Sequence, residues 1–182
     1  MECDPPKSRL YLQAAALRRL WRLLYLLDAN VLIDAHRDYY PIGRIPEFWE
    51  WLIRMSDAGT VKIPREIYAE VSAGTDTVAQ WASENTDTLL LKEEVSAVLV
   101  ARVAVQGYAA DLTDDEIEKL GEDPFLIAYA LADANNRTVV SNEISRPSRQ
   151  RANRHVPDVC ESLGIRCINA FALIRELDFR TR

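Results

Sequence analysis

The sequence predicts a three-layer α/β/α domain on a central, mostly parallel sheet of four to five strands. Three observations carry that expectation. From residue 23 onward, short apolar runs alternate with longer helix-period segments, as in chains whose helices cover a sheet. The runs are short enough to be parallel strands buried on both faces. The segments between them carry proline early and glycine just past the end, the usual punctuation of helices. A chain of 182 residues, 48% of them hydrophobic, can bury one core, so a single domain over 23–182 is expected, preceded by an extension over 1–22.

In the extension, Leu10, Ala14, Leu17, Trp21 and Leu24 recur at helical spacing, and Arg9, Arg18, Arg19 and Arg22 share the segment. It reads as an added amphipathic helix packing on the domain or on a partner. The arginines interrupt the apolar stretch, which falls short of the roughly 20 residues that span a bilayer, so neither a secretory signal nor a membrane anchor is expected. An organellar presequence or a misassigned start stays open on these residues.

The first strand is Leu23 to Leu27. Pro46 to Ala58 reads as a helix closed by Gly59, Thr60 to Ile63 as the second strand, and Pro64 to Ala73 as a helix closed by Gly74. Residues 75 to 112 form a helical insertion, with Trp81 on an apolar face and a stripe of Val95, Val98, Leu99 and Val103, expected to be a cap or wall. Thr113-Asp114-Asp115-Glu116 matches a capping box, in which threonine and glutamate satisfy each other's free backbone amides. Asp123-Pro124 opens the next helix through Leu126, Ile127, Tyr129, Ala130 and Leu131. Thr138 to Ser141 is a strand, Pro157 to Leu163 a helix followed by Gly164, and Ile165 to Ile168 the last strand.

Composition narrows the function classes. Cys3, Cys160 and Cys167 are too few and too scattered for a disulfide framework or a structural zinc site, which fits a reducing cytoplasm. The formal charge of −6 repels nucleic acid at long range, so RNA binding would need a local basic patch or cations held by acidic groups.

Four acidic segments are candidates for chemistry. Leu26-Leu27-Asp28-Ala29-Asn30 places a carboxylate and an amide at the carboxyl end of the first strand, where open α/β sheets bind ligands; an ordinary helix cap explains Asp28 as well. Glu66 and Glu70 lie four apart on one helix face, where like charges gain nothing from each other unless a metal or basic partner joins them. A solvated face is the plain alternative. Asp123 before Pro124 is a good capping arrangement, and a helix start also favours a functional carboxylate. Val139-Val140-Ser141-Asn142-Glu143 ends a strand in hydroxyl, amide and acid, or is simply a polar loop. Bringing such carboxylates within about 4 Å would cost on the order of 4 kcal/mol per pair at intermediate dielectric. Folding then requires a cation or protons there, and oxygen-only ligands point to Mg²⁺ or Mn²⁺.

Taken in order, these motifs resemble those of the PIN-domain family of nucleases, in particular the toxin ribonucleases of toxin–antitoxin pairs. Leu27-Asp28-Ala29-Asn30-Val31-Leu32 is similar to the family's opening strand with its first acid, Ala69-Glu70-Val71 to its second acid, Asp123 through Ala130 to its third motif, and Val139 to Glu143 to its fourth. The resemblance covers about residue 25 to near the end. The sequence departs from the pattern where Glu143 stands in place of the usual aspartate and where the insertion before Asp123 is longer than in the smallest members; Glu66 also competes with Glu70 for the second position, with Glu70 in the matching context.

The resemblance implies metal-dependent hydrolysis of RNA phosphodiester bonds, with Asp28, Glu70, Asp123 and Glu143 at the metal and Asn30, Ser141 and Glu143 orienting waters. It also implies a cognate antitoxin protein and a homodimer. The basic loop after the fourth motif, with Arg146, Arg149, Arg151 and Arg154, is the expected RNA-backbone contact, or else a solvated or antitoxin-binding surface. Neither His36 nor His155 has a partner for imidazole acid–base chemistry. A haloacid-dehalogenase-like phosphatase also places aspartate after its first strand, but wants a second aspartate where this chain has Asn30. A PIN-like module without catalysis, acting through a partner protein, is the remaining alternative.

Overall fold

A computed structural model of the chain describes residues 23–181, and the amphipathic helix expected over 1–22 lies outside the described residues. Strands β1 (Leu24–Leu27), β2 (Val61–Lys62), β3 (Arg137–Val140) and β4 (Arg166–Ile168) form one sheet in the order β2-β1-β3-β4, every pair parallel. Leu27 stands opposite Val140, and Val140 opposite Ile168. An isolated bridge from Ile63 to Leu90 extends the β2 edge. Tyr25, Leu26, Leu27, Val139 and Val140 are all fully buried. Both sheet faces must therefore be covered, which is why these runs are continuously apolar and do not alternate. The expected three-layer α/β/α architecture is what forms.

Helix α1 (Ala29–Asp34) follows β1 directly and widens into a π-helical turn over Ala35–Tyr39. Helix α2 (Pro46–Asp57) starts on Pro46 and buries Phe48, Trp49, Trp51 and Leu52. Gly59, at a φ of 74°, then adopts a left-handed conformation that a side chain would resist, and turns the chain into β2. Phe48 stacks on Tyr40 at 4.5 Å, and Phe179 from the far end of the chain closes against Phe48 and Trp51. This aromatic cluster ties the carboxyl-terminal segment to the first third of the fold.

Helix α3 (Arg65–Ser72) leads into the insertion, which contains α4 (Thr77–Glu84), α5 (Thr86–Leu89) and α6 (Ala97–Arg102), the last running into a second π-helical turn over Val103–Tyr108. Trp81 packs edge-on against Trp49 as its apolar face required. The proposed stripe is broken: Val103 is buried and Val95 and Leu99 are partly so, but Val98 is 76% exposed. It sits one residue before Leu99, about 100° around the helix and off the packed face.

Helix α7 (Asp114–Leu120) begins with the predicted capping box, Thr113 and Glu116 bonding each other's backbone amides. Helix α8 (Asp123–Leu131) buries Pro124 and Leu126 through Ala130. A helix apolar all round belongs inside, and α8 packs on β1, β3, α3 and α6. Its start corrects the sequence reading: Glu122 holds the cap position and Asp123 lies inside the first turn, so Asp123 does not cap. Helix α9 (Val156–Ser162) packs on β4, and α10 (Ala170–Glu176) is capped by Asn169, whose side chain accepts from the Ala172 amide. Cys160 and Cys167 are free thiols. No helix among the described residues is long and apolar enough to cross a membrane.

Candidate functional site

The chain leaves β1 toward β2 on one side and reaches β4 from β3 on the other, so the carboxyl ends of β1 and β3 border a topological switch point. Such ends form the crevice in which open α/β sheets bind ligands. Asp28 follows β1 and Ser141 follows β3, with the Asp28 amide donating to the Val140 carbonyl at 2.9 Å. Asp28 occupies the cap position of α1 with an extended backbone, yet its side chain makes no capping bond. Its Oδ2 instead accepts from Ser141 Oγ at 2.7 Å and from Asn30 Nδ2 at 2.6 Å. Helix capping thus does not explain the Asp28 carboxylate.

Asn30 and Asn142 hold that arrangement in place. The Asn142 amide donates to Asn30 Oδ1 at 2.9 Å, and Asn142 Nδ2 donates to Asp34 Oδ2 at 3.1 Å. Asn142 Oδ1 accepts from the Ala170 amide, at the start of α10. One side chain therefore binds the end of β3 to α1 and to α10, and Asn30 couples it to Asp28. Fixing a carboxylate in a single orientation through such a shell is what precise ligand binding requires.

The four expected acids face one another electrostatically. Asp28 is 7% exposed. Burial pushes its carboxyl up to about 6 against the opposing Ser141 hydrogen bond, and the charges of Glu143 and Glu70 add to the rise. Asp123 is driven further, to about 8, by burial first and then by Asp28, Glu143, Glu70 and Glu122, every principal cause acting in the same direction. Burial and the charge of Glu122 also raise Glu70. Glu70 acts on both aspartates, whereas Glu66 lies against Tyr129 in a separate pocket with Arg65, Glu94 and Val95. Of the two competing glutamates, the structure brings Glu70 to the cluster.

Glu143 has a second occupation. Its Oε2 accepts from the Val156 amide at 2.7 Å, in the first turn of α9, and lies 4.0 Å from His155 Nδ1. Its own amide donates to Ser141 Oγ at 3.2 Å. Among the described residues, no three His, Cys, Asp or Glu side chains are drawn in to metal-ligating spacing. The acids are near enough to raise one another without converging on one point.

The basic loop divides in two. Arg151, at a φ of 54° and so in a conformation costing a non-glycine residue about 1–2 kcal/mol, forks onto Glu116 with Nε at 2.7 Å and Nη2 at 2.7 Å, and reaches Asp111 Oδ1 at 2.6 Å. Arg154 donates to the carbonyls of Gly107 and Asp158. These two guanidinium groups are engaged within the chain, which leaves Arg146 and Arg149 as the exposed cations of the loop. Ser145 Oγ and the Arg146 amide are anchored on the Asp158 carboxylate at 2.5 and 2.8 Å.

Sequence reasoning missed four participants. Neither Glu122, just before a helix start, nor Asp34, at the end of α1, was singled out from the sequence. Asn142 lay inside a quoted motif, but its three partners are remote in sequence. Tyr108 belongs to the insertion, where only apolar spacing was legible. Its phenol is 7% exposed, its hydroxyl is buried without a partner, and Asp123 and Glu143 act on it.

No curated protein and no solved structure matches the chain. The model of the family described as "Domain of unknown function (DUF4411)" matches residues 25–181, and the chain belongs to that family.

Proposed function

We propose that this protein is a metal-dependent ribonuclease hydrolysing RNA phosphodiester bonds, the toxin of a toxin–antitoxin pair. The observation that carries the reading is the grouping of Asp28, Glu70 and Asp123, from three separate segments, where burial raises all three carboxyls and Glu70 adds to the rise of both aspartates. Carboxyls in that state favour a ligand that brings positive charge. The donor set is oxygen-only at Asp28, Glu70 and Asp123, which suits Mg²⁺ or Mn²⁺, and these ions keep several waters and so need no tight protein cage. Asp28, Glu70 and Asp123 would hold the ion, and Glu143, already committed to α9, would reach it through water.

A divalent ion, when bound, supplies charge that stabilises the scissile phosphate and a water at lowered pKa. The chain's residues prepare the site. Ser141 and Asn30 fix the Asp28 carboxylate through Oδ2. Asp123, at about 8, holds a proton at neutral pH until positive charge arrives. Arg146 and Arg149 offer exposed charge for the RNA backbone on the loop that follows the Ser141 to Glu143 segment. The antitoxin partner and the homodimer rest on the resemblance to PIN-domain toxins alone.

A second reading, a PIN-like module without catalysis, is favoured by one observation: Glu143 caps a helix while the carboxylates do not converge. Incubating single-stranded RNA with purified protein separates the two. Cleavage that requires Mg²⁺ or Mn²⁺ and is lost both with EDTA and in Asp28→Asn supports the ribonuclease; protein that binds a partner but never cuts RNA supports the module. Growth arrest on expression of the chain alone, relieved by an adjacent gene, supports the toxin assignment.

A further inference from the structure

The border of the acid site is not uniformly polar. Ile33, Tyr39, Ile144 and Phe171 are exposed, and the hydrogen bonds of Asn142 bring them to one rim. Ile33 precedes Asp34, whose carboxylate accepts from Asn142 Nδ2. Phe171 follows Ala170, whose amide donates to Asn142 Oδ1, and Ile144 lies two residues beyond Asn142. Tyr39 joins the group through its ring, whose centre is 4.9 Å from that of Phe171. Three hydrogen bonds thus lead from the aromatic pair to the site: Ala170 to Asn142, Asn142 to Asn30 and Asn30 to Asp28. Scattered exposed apolar residues need no explanation, but a group of them beside a polar crevice marks an interaction surface.

The form of the pair narrows what it can bind. Tyr39 is 48% and Phe171 40% exposed, and the two rings stand at 80°. A perpendicular pair leaves each ring at least one face that its partner does not cover. Both rings have fixed footings: Tyr39 ends the π-helical turn Ala35–Tyr39, and Phe171 lies in the first turn of α10, capped by Asn169. Flat aromatic faces beside cations suit a nucleobase, which stacks on the ring while its phosphates meet the charge. Arg146 and Arg149 are exposed on the loop that follows Asn142 and supply that charge. The basic extension over 1–22 joins the domain at the amino end of β1, whereas the pair stands just past the carboxyl end of β4.

Resting on the ribonuclease reading, we propose that Tyr39 and Phe171 form a stacking platform for an unpaired nucleobase of the RNA whose phosphodiester lies at the acid cluster. A duplex keeps its bases stacked on one another, so the platform selects single strands, and it tolerates any base because every base has a π-face. It also adds affinity without charge. In a chain of net charge −6, phosphate contacts alone work against long-range repulsion, and stacking is indifferent to it.

The test measures binding of a labelled single-stranded RNA by the full chain, with Ca²⁺ replacing Mn²⁺, for wild type, Tyr39→Ala, Phe171→Leu and Phe171→Trp. The same strand made without bases, and the strand annealed to its complement, are bound in parallel. Light scattering gives the mass of each protein in solution. Tyr39→Ala and Phe171→Leu should each bind the single strand about tenfold more weakly, and Phe171→Trp should bind it at least as well as wild type. The slope of affinity against salt should stay the same in all of them, because no cation has been removed. Wild type should hold the base-free strand and the duplex about tenfold less tightly than the intact strand, a comparison that needs no substitution and so cannot be confused with misfolding. Phe171→Leu that binds like wild type, or wild type that binds the base-free strand as well as the intact one, overturns the platform and leaves the ribonuclease reading intact. A change of mass on either substitution also overturns it, by showing that the pair joins two copies of the chain. Wild-type protein that takes up Mn²⁺ but binds none of the three RNAs overturns both.

Discussion

Replacing Asp123 by asparagine should make the metal-free protein more stable than wild type, by a margin that a bound divalent cation narrows. Without a cation the Asp123 carboxyl lies at about 8 in the folded state, burial and then the charges of Asp28, Glu143, Glu70 and Glu122 having raised it from 3.8. A folded pKa above the unfolded one means that the contribution to stability is fully present below about pH 4 and is lost as pH rises through about 8. The separation of roughly four pH units corresponds to about 5 kcal/mol at ~1.4 kcal/mol per unit. Asparagine, which does not ionise, escapes that loss. In EDTA at pH 8 the variant should therefore unfold roughly 10 °C higher than wild type, taking ~2–4 °C per kcal/mol for a chain of this size. At pH 5 the gap should shrink to under about 2 kcal/mol. Mn²⁺ should narrow the gap at pH 8 without closing it, since binding at a hundredfold excess over Kd adds about 3 kcal/mol to wild type and less to the variant. Circular dichroism melts at the two pH values, with and without Mn²⁺, measure all of this. Equal melting at pH 5 and pH 8, or a variant that is less stable than wild type at pH 8 in EDTA, would refute the claim that Asp123 faces the other acids.

Two further perturbations separate residues that the sequence left in competition. Glu70→Gln should remove most of the stabilisation by Mn²⁺ and the ribonuclease activity, while Glu66→Gln, in its separate pocket beside Tyr129, should retain both; metal-dependent melts and RNA cleavage report the difference. Arg149→Ala should reduce the slope of log affinity for RNA against log salt by about one. Arg151→Ala should leave that slope unchanged and alter stability little, its pairs with Glu116 and Asp111 being solvated.

The sheet was legible because central parallel strands are buried on both faces and so read as uninterrupted apolar runs; β1 and β3 lie where those runs lie. Helix ends were legible where the signal is local. Gly59 and Gly164 adopt the positive φ that glycine favours, and Thr113 and Glu116 form their reciprocal cap. Local signals fail by small shifts, as at Asp123, where Asp-Pro chemistry does not distinguish the cap position from the first turn. Helical periodicity also says nothing of the two π-helical turns, whose extra residue per turn changes which side chains face inward. Tyr108 was hidden for that reason.

For the site, the four acidic segments could be ordered from the sequence but not oriented. Asn142 owes its role to contacts with Asn30, Asp34 and Ala170, all more than a hundred positions away except the last. Arg151 and Arg154 carry the charge expected of an RNA contact, yet Asp111, Glu116, Gly107 and Asp158 occupy them. A positive charge is visible in a sequence; whether it is already spent is decided by the fold.

We propose that the acids at the switch point form a catalytic site for RNA that works only with a divalent cation. Its most direct test strips the protein of metal and follows cleavage of single-stranded RNA as Mn²⁺ is added, with wild type and Asp28→Asn side by side. Expected are no cleavage at the start, a rate for wild type that rises with Mn²⁺ and saturates, and no recovery by Asp28→Asn at any concentration. Cleavage by the stripped protein, or an Asp28→Asn variant that responds to Mn²⁺ as wild type does, would contradict it.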